Sequence, residues 1–115
     1  MKRVGLNNIK GEKMKKIVTK EELDKEIENK RVLVDFYATW CGPCKMLGLV
    51  IEKIEKENII DIIKVDVDEA RNLSTEYKIY SVPTLILIEN GKELKRISGF
   101  ISEEELKKWV VQDEK

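Results

Sequence analysis

The sequence predicts an α/β domain built on a mixed central sheet of about five strands with four helices. Three observations carry this. Apolar runs of strand length alternate with helix-periodic segments in the order β, α, β, α, β, α, β, β, α. Asn90-Gly91 separates the last two strand runs and signals a tight hairpin, so that pair is antiparallel. The earlier strands are separated by helices, which implies right-handed crossovers and parallel pairing, with helices on both faces. Finally, Cys41 and Cys44 stand where a strand passes into a helix, the carboxyl end of the sheet at which such folds handle ligands.

Composition sets the bounds. The 115 residues are enough for one domain with its own core and no disulfide staples. The 22 basic and 22 acidic residues cancel, so net charge gives no case for nucleic-acid or membrane attraction. Hydrophobic content of 42% with 38% charge fits a soluble globular protein, and no apolar run approaches the about 20 residues that span a bilayer. The N-terminus lacks the apolar stretch of a secretory signal. A reducing, cytoplasmic compartment is therefore expected, where a lone Cys-x-x-Cys is catalytic more often than structural. The abundance of Lys, Glu and Ile fits heat adaptation or a biased genome equally.

Residues 1–13 are polar and basic (Lys2, Arg3, Lys10, Lys13) without a clear period. They read as a solvated, disordered extension rather than a nucleic-acid arm, which would carry a denser block of charge. Met14 would itself serve as a start, and the domain proper is placed at 14–115. Residues 15–18 form a short strand. Thr19 and Glu22 make a capping box for a helix with Leu23 and Ile27 on its buried side, ending near Asn29. Arg31 to Tyr37, rich in branched and aromatic residues, reads as a buried strand.

Leu47, Val50, Ile51 and Ile54 give the second helix its apolar stripe, from about Pro43 to Glu57. Residues 59–67 form the next strand. A short helix over 69–76 is expected with Asp68 as its cap. Pro83 stands at the entrance of the strand Leu85-Ile-Leu-Ile88, where its missing N–H belongs at an edge or turn. Residues 92–98 form the last strand. Ser102 and Glu105 form a second capping box, for a helix burying Leu106, Trp109 and Val110.

Cys41 and Cys44 are the only cysteines, and the chain has no histidine. Unpaired N–H groups and the positive dipole end make a helix N-terminus a site for an anion, here a Cys41 thiolate with its pKa drawn below the ordinary value of about 8.5. Pro43 suits the first turn, which brings Cys44 round beneath Cys41. Two structural core cysteines would not need Gly-Pro between them, and zinc would require two chains to share a site of about four ligands. The redox dithiol fits best.

Asp35 lies amid apolar neighbours, and Lys64 similarly interrupts the next strand. Either both face water on edge strands, or Asp35 is a buried acid with a raised pKa beside the dithiol, paired with Lys64.

The residues from Val34 to Lys45 (Val-Asp-Phe-Tyr-Ala-Thr-Trp-Cys-Gly-Pro-Cys-Lys), Lys64-Val65-Asp66-Val67-Asp68, Val82-Pro83-Thr84, Asn90-Gly91 and Gly99 together resemble the thioredoxin family over about residues 15–112. The resemblance implies the thioredoxin fold and protein-disulfide reductase activity. Cys41 would be the exposed nucleophile and Cys44 the buried resolving thiol, cycling through a reversible Cys41–Cys44 disulfide. Asp35, assisted by Lys64, would relay the proton of Cys44. Pro83 would be cis rather than an ordinary trans proline, and with Val82 would hold the substrate chain. Trp40, Gly42, Pro43, Gly99 and Phe100 would border that surface.

No bound cofactor or metal is implied. The implied partners are disulfide-containing substrate proteins and a thioredoxin reductase, an NADPH-dependent flavoprotein. A monomer is expected, with no nucleic-acid or membrane partner. Two features depart from the family pattern. Leu49, after Gly48, replaces a helix-kinking proline, and Tyr37 replaces a tryptophan. Leucine restores a backbone N–H, so a straighter helix, or a bend taken up at Gly48, is expected. An oxidase or isomerase of an exported compartment and a thiol-independent binding module are the competing functions.

Overall fold

The computed structural model describes residues 14–112, so the expectations for residues 1–13 and for the end of the domain lie outside the described residues. The elements are β1 (Met14–Lys16), α1 (Lys20–Glu26), β2 (Arg31–Tyr37), α2 (Gly42–Lys56), β3 (Asp61–Asp66), α3 (Arg71–Glu76), β4 (Thr84–Glu89), β5 (Lys92–Ser98) and α4 (Glu103–Val111). The sheet runs in the order β1-β3-β2-β4-β5. β1 and β2 pair parallel with β3, whereas β4 pairs antiparallel with β2 and with β5.

Side-chain alternation along β2 divides the core. Val32, Val34 and Phe36 face one side, packed with Leu23 of α1, its C-cap Ile27 and Leu73 of α3. Leu33 faces the other, packed with Leu47, Ile51 and Ile54 of α2 and Leu106 and Val110 of α4. A strand covered on both faces reads as a continuous apolar run, as β2 does. The α2 helix is one continuous element through Gly48 and Leu49.

Turn chemistry follows from the residues. Asn29 and Asn58, each at φ 58°, take the left-handed conformation that stops α1 and α2. Asn90 and Gly91 both have positive φ and connect the paired residues Glu89 and Lys92, a two-residue turn whose twist matches the strands.

Four details differ from the sequence reading. β1 ends at Lys16 rather than at Val18, which is exposed, although the Ile17 N–H still bonds the Lys64 carbonyl at 2.9 Å. α3 starts at Arg71, and its N-cap Ala70 has no side-chain cap. The turn before it is organised by Asp66, whose carboxylate accepts the Asp68 N–H and whose carbonyl accepts those of Glu69 and Ala70. At α4 only half of the expected capping box forms: Ser102 accepts the Glu105 N–H at 3.2 Å, whereas Thr19 and Glu22 complete both bonds at α1. Trp109 is half-buried beside its fully packed neighbours, with the Lys95 ammonium 4.8 Å above its ring.

The two sides of α2 should respond differently to truncation. Ile51→Ala removes a fully buried side chain and should cost about 2–5 kcal/mol in urea unfolding. Leu49→Ala, on the exposed side, should stay within about 0.5 kcal/mol.

Candidate active site

Cys41 is the N-cap of α2, with extended backbone (φ −95°, ψ 113°) ahead of Gly42 and Pro43 in the first turn. Its Sγ accepts the Cys44 N–H at 3.2 Å, so the sulfur occupies the position in which a capping oxygen or an anion satisfies the free end of a helix. Cys41 and Cys44 are joined as a disulfide with their Cα atoms 5.2 Å apart. Contrary to the expectation of an exposed Cys41, both cysteines are buried here, at 5% and 4% exposure. The bond turns Cys41 inward over its own helix. Ala38, Tyr37, Val67 and Val82 close around the pair, with the Val82 carbonyl oxygen 3.8 Å from the Cys41 sulfur.

The segment above the sulfur is the entrance to β4. The Val82–Pro83 peptide bond is cis, and Pro83 is buried. The Pro83 carbonyl accepts the N–H of Gly99 at 2.9 Å. Gly99 has φ +94°, a conformation that suits glycine. Trp40 is 69% exposed, and its indole N–H donates to Asp68 Oδ2 at 2.8 Å. Asp68 stands two residues before Ala70, the N-cap of α3, and so does not cap that helix. Gly42 and Pro43 are exposed beside Trp40 in sequence. Phe100, also exposed, lines a groove between β5 and α4 with Ile97, Ile101 and Trp109.

Asp35 lies on the interior strand and is 1% exposed, which settles against a water-facing edge. The parallel register sets Asp35 directly opposite Lys64. The Lys64 ammonium stands 3.6 Å from Asp35 Oδ2, an ion-pair distance too long for a strong hydrogen bond, and neither carboxylate oxygen has a hydrogen-bond partner. Burial therefore dominates and pushes the Asp35 carboxyl up to about 6, against the opposing pull of Lys64. A cavity of about 310 Å³ adjoins Lys64, lined by Cys44, Gly48, Leu49 and Glu52 of α2 together with Tyr37. Lys64 and Cys44 thus border one space.

Comparison with known proteins gives the same answer as the geometry. The family profile described as Thioredoxin matches residues 14–112. The chain belongs to the thioredoxin family. It is 48% identical over 96 residues to a thioredoxin of Mycoplasmoides gallisepticum, covering 82% of this chain and 96% of the relative. Among solved structures, a mutant thioredoxin from Halobacterium salinarum superposes with a TM-score of 0.79 at 37% identity, over 84% of this chain and 87% of that one. The oxidised mitochondrial thioredoxin 3 of Saccharomyces cerevisiae does so with a TM-score of 0.78 at 30% identity, over 89% and 97%.

As a thioredoxin, the protein is a thiol–disulfide oxidoreductase with protein-disulfide reductase activity. Its electrons are carried by the Cys41–Cys44 pair, and its partners are disulfide-bearing substrates and a reductase. Among the described residues no group of three or more His, Cys, Asp or Glu side chains could hold a metal. No helix among them is long and apolar enough to cross a membrane.

The structure brings Cys41, Cys44 and Val82 into one cluster and Asp35 against Lys64, while Trp40 is tied to Asp68 and Phe100 to a separate groove. Two neighbours escaped the sequence reading. Asp68 is the indole's partner, which no local pattern signals across 28 residues of separation. Tyr37 packs over Lys64, and its place two residues after Asp35 on the same strand face was a usable signal.

The raised Asp35 pKa has a stability consequence. The folded value of about 6 exceeds the ordinary 3.8, so the fold disfavours the charged form. The contribution of Asp35 to stability is fully present below pH 4 and is lost as pH rises through about 6. Replacement by Asn should abolish that decline. Urea unfolding of the oxidised protein should show Asp35→Asn gaining on the order of 3 kcal/mol relative to the parent between pH 4 and pH 8.

Proposed function

We propose that the protein is a general protein-disulfide reductant of a reducing cytoplasm, acting as a monomer through residues 14–115 and re-reduced by an NADPH-dependent flavoprotein. The Cys41 thiolate attacks one sulfur of a substrate disulfide, forming a mixed disulfide and releasing the other substrate sulfur as a thiolate that takes a proton. The Asp35 carboxylate, with Lys64 beside it, accepts the Cys44 proton. The Cys44 thiolate then attacks Cys41 Sγ, closing the Cys41–Cys44 bond and releasing the second substrate thiol. The reductase returns two electrons and two protons.

The observation that carries this reading is the Cys41 sulfur at the N-cap of α2, accepting the Cys44 N–H. A thiolate there is stabilised by the same N–H and by the helix dipole, so it is a populated nucleophile for the first step. The Val82 carbonyl beside the sulfur supports a role for Val82, with Pro83, in holding a substrate backbone as a short added strand. Exposed Trp40, Gly42 and Pro43, with Gly99 and Phe100, would complete the contact surface. The cavity between Cys44 and Lys64 has room for a water that could carry the proton.

The two cysteines should be separable by substitution. Cys44→Ser, exposed to oxidised substrate proteins, should accumulate mixed disulfides on Cys41 that a small thiol reductant releases. Cys41→Ser should form none and lose insulin reduction entirely. Adducts recovered on Cys44 instead, or turnover surviving in Cys41→Ser, would reverse or remove the assigned roles.

A further inference from the structure

We propose that Tyr37 is a positioning residue for the proton relay: the face of its ring holds the Lys64 ammonium beside the Asp35 carboxylate. This rests on the relay reading above and adds to it the group that fixes the relay's cation.

Strand geometry puts the three side chains together. Asp35 and Tyr37 are two apart on β2 and so share a face. Lys64 pairs with Asp35 across the parallel ladder. The Lys64 ammonium lies 4.4 Å from the centroid of the Tyr37 ring and 3.6 Å from Asp35 Oδ2. A cation within about 6 Å of an aromatic face is drawn to the ring quadrupole, more strongly when partly desolvated. Lys64 is only half-buried, and its four-carbon stem borders the cavity of about 310 Å³. It has space to swing away from Asp35. No hydrogen bond ties its ammonium among the described residues, so the ring and the carboxylate are what hold it.

The surrounding charges are otherwise engaged or more remote. On β1, Lys16 faces the tyrosine but pairs with Glu69 at 3.2 Å. On β3, Asp66 accepts the Asp68 N–H. From α2, Lys45 and Glu52 reach the cavity together with Cys44. Because the ring face makes the contact, phenylalanine should substitute for tyrosine. An aliphatic residue of similar size should free Lys64, weaken its compensation of the buried carboxylate and move proton acceptance to higher pH.

The test is the carboxyl titration of Asp35, followed by carbon NMR in the oxidised full chain, across a double-mutant cycle. Tyr37→Phe should titrate like the parent, whereas Tyr37→Leu should move the midpoint up by about half a pH unit or more. In a Lys64→Met background the same Tyr37→Leu change should add nothing. A Tyr37→Leu shift that persists in Lys64→Met would mean that the ring acts through burial alone, and no shift at all would mean that it does not hold the lysine; either overturns the proposal. A measurement independent of any variant's folding is the proton shift of the Lys64 ε-methylene in the parent protein. Placement over the ring predicts an upfield ring-current displacement, and an ordinary lysine shift contradicts it. The relay reading is tested separately by the rate and pH profile of the resolving step in Asp35→Asn. If that step is unchanged while the cycle holds, the relay falls and the positioning by Tyr37 stands.

Discussion

Nearly everything about the site follows from the position of β2 in the middle of the sheet. It is hydrogen-bonded on both edges, by β3 and β4, and covered on both faces by helices. A strand so placed can carry a charged side chain only at the cost of desolvating it, and Asp35 is that side chain. The same placement fixes where the strand ends. Tyr37 is its last residue and Gly42 the first of α2, so the intervening turn delivers Cys41 to the helix N-terminus beside the entrance of β4. The buried acid and the reactive sulfur are consequences of one strand, joined by about six residues of chain.

The chemistry depends on two opposed electrostatic settings held close together. At Cys41, free backbone N–H groups favour a negative sulfur. At Asp35, burial with a single cation at 3.6 Å disfavours a negative carboxylate, and the fold tolerates that cost for a titration near neutrality. Gly48 lies beside Lys64: a Cβ there would stand 3.9 Å from the ammonium, an ordinary van der Waals contact. Leu49 leaves the helix uninterrupted and its own side chain in solvent.

Where local chemistry determines structure, the sequence was readable. Asn90-Gly91 gave the hairpin with both residues at positive φ, Thr19 and Glu22 gave a complete capping box, and the stripe of Leu47, Ile51 and Ile54 gave the buried side of α2. The errors came where distant partners compete for a group. Asp68 was expected to cap α3, but Asp66 organises the turn so that the helix begins only at Arg71, and Asp68 instead accepts the Trp40 indole N–H from 28 residues away. Cys41 was expected to be exposed, but its bond to Cys44 and the β4 entrance cover it in the oxidised form. Asp35 could be read as buried or edge-facing until the strand order was known, because period-2 alternation does not say which strands are interior. The identity of the family, by contrast, was carried by contiguous motifs around Cys41, Lys64 and Pro83, which need no knowledge of contacts.

This helix-capped dithiol is set for reduction of other proteins' disulfides, and the equilibrium reduction potential of the Cys41–Cys44 pair measures that setting. Titration of the full chain against a dithiol buffer should give one two-electron transition close to the about −270 mV typical of thioredoxins. A potential of about −180 mV or higher, in the range of isomerases and dedicated oxidants, would contradict the account, as would failure to form the intramolecular disulfide reversibly.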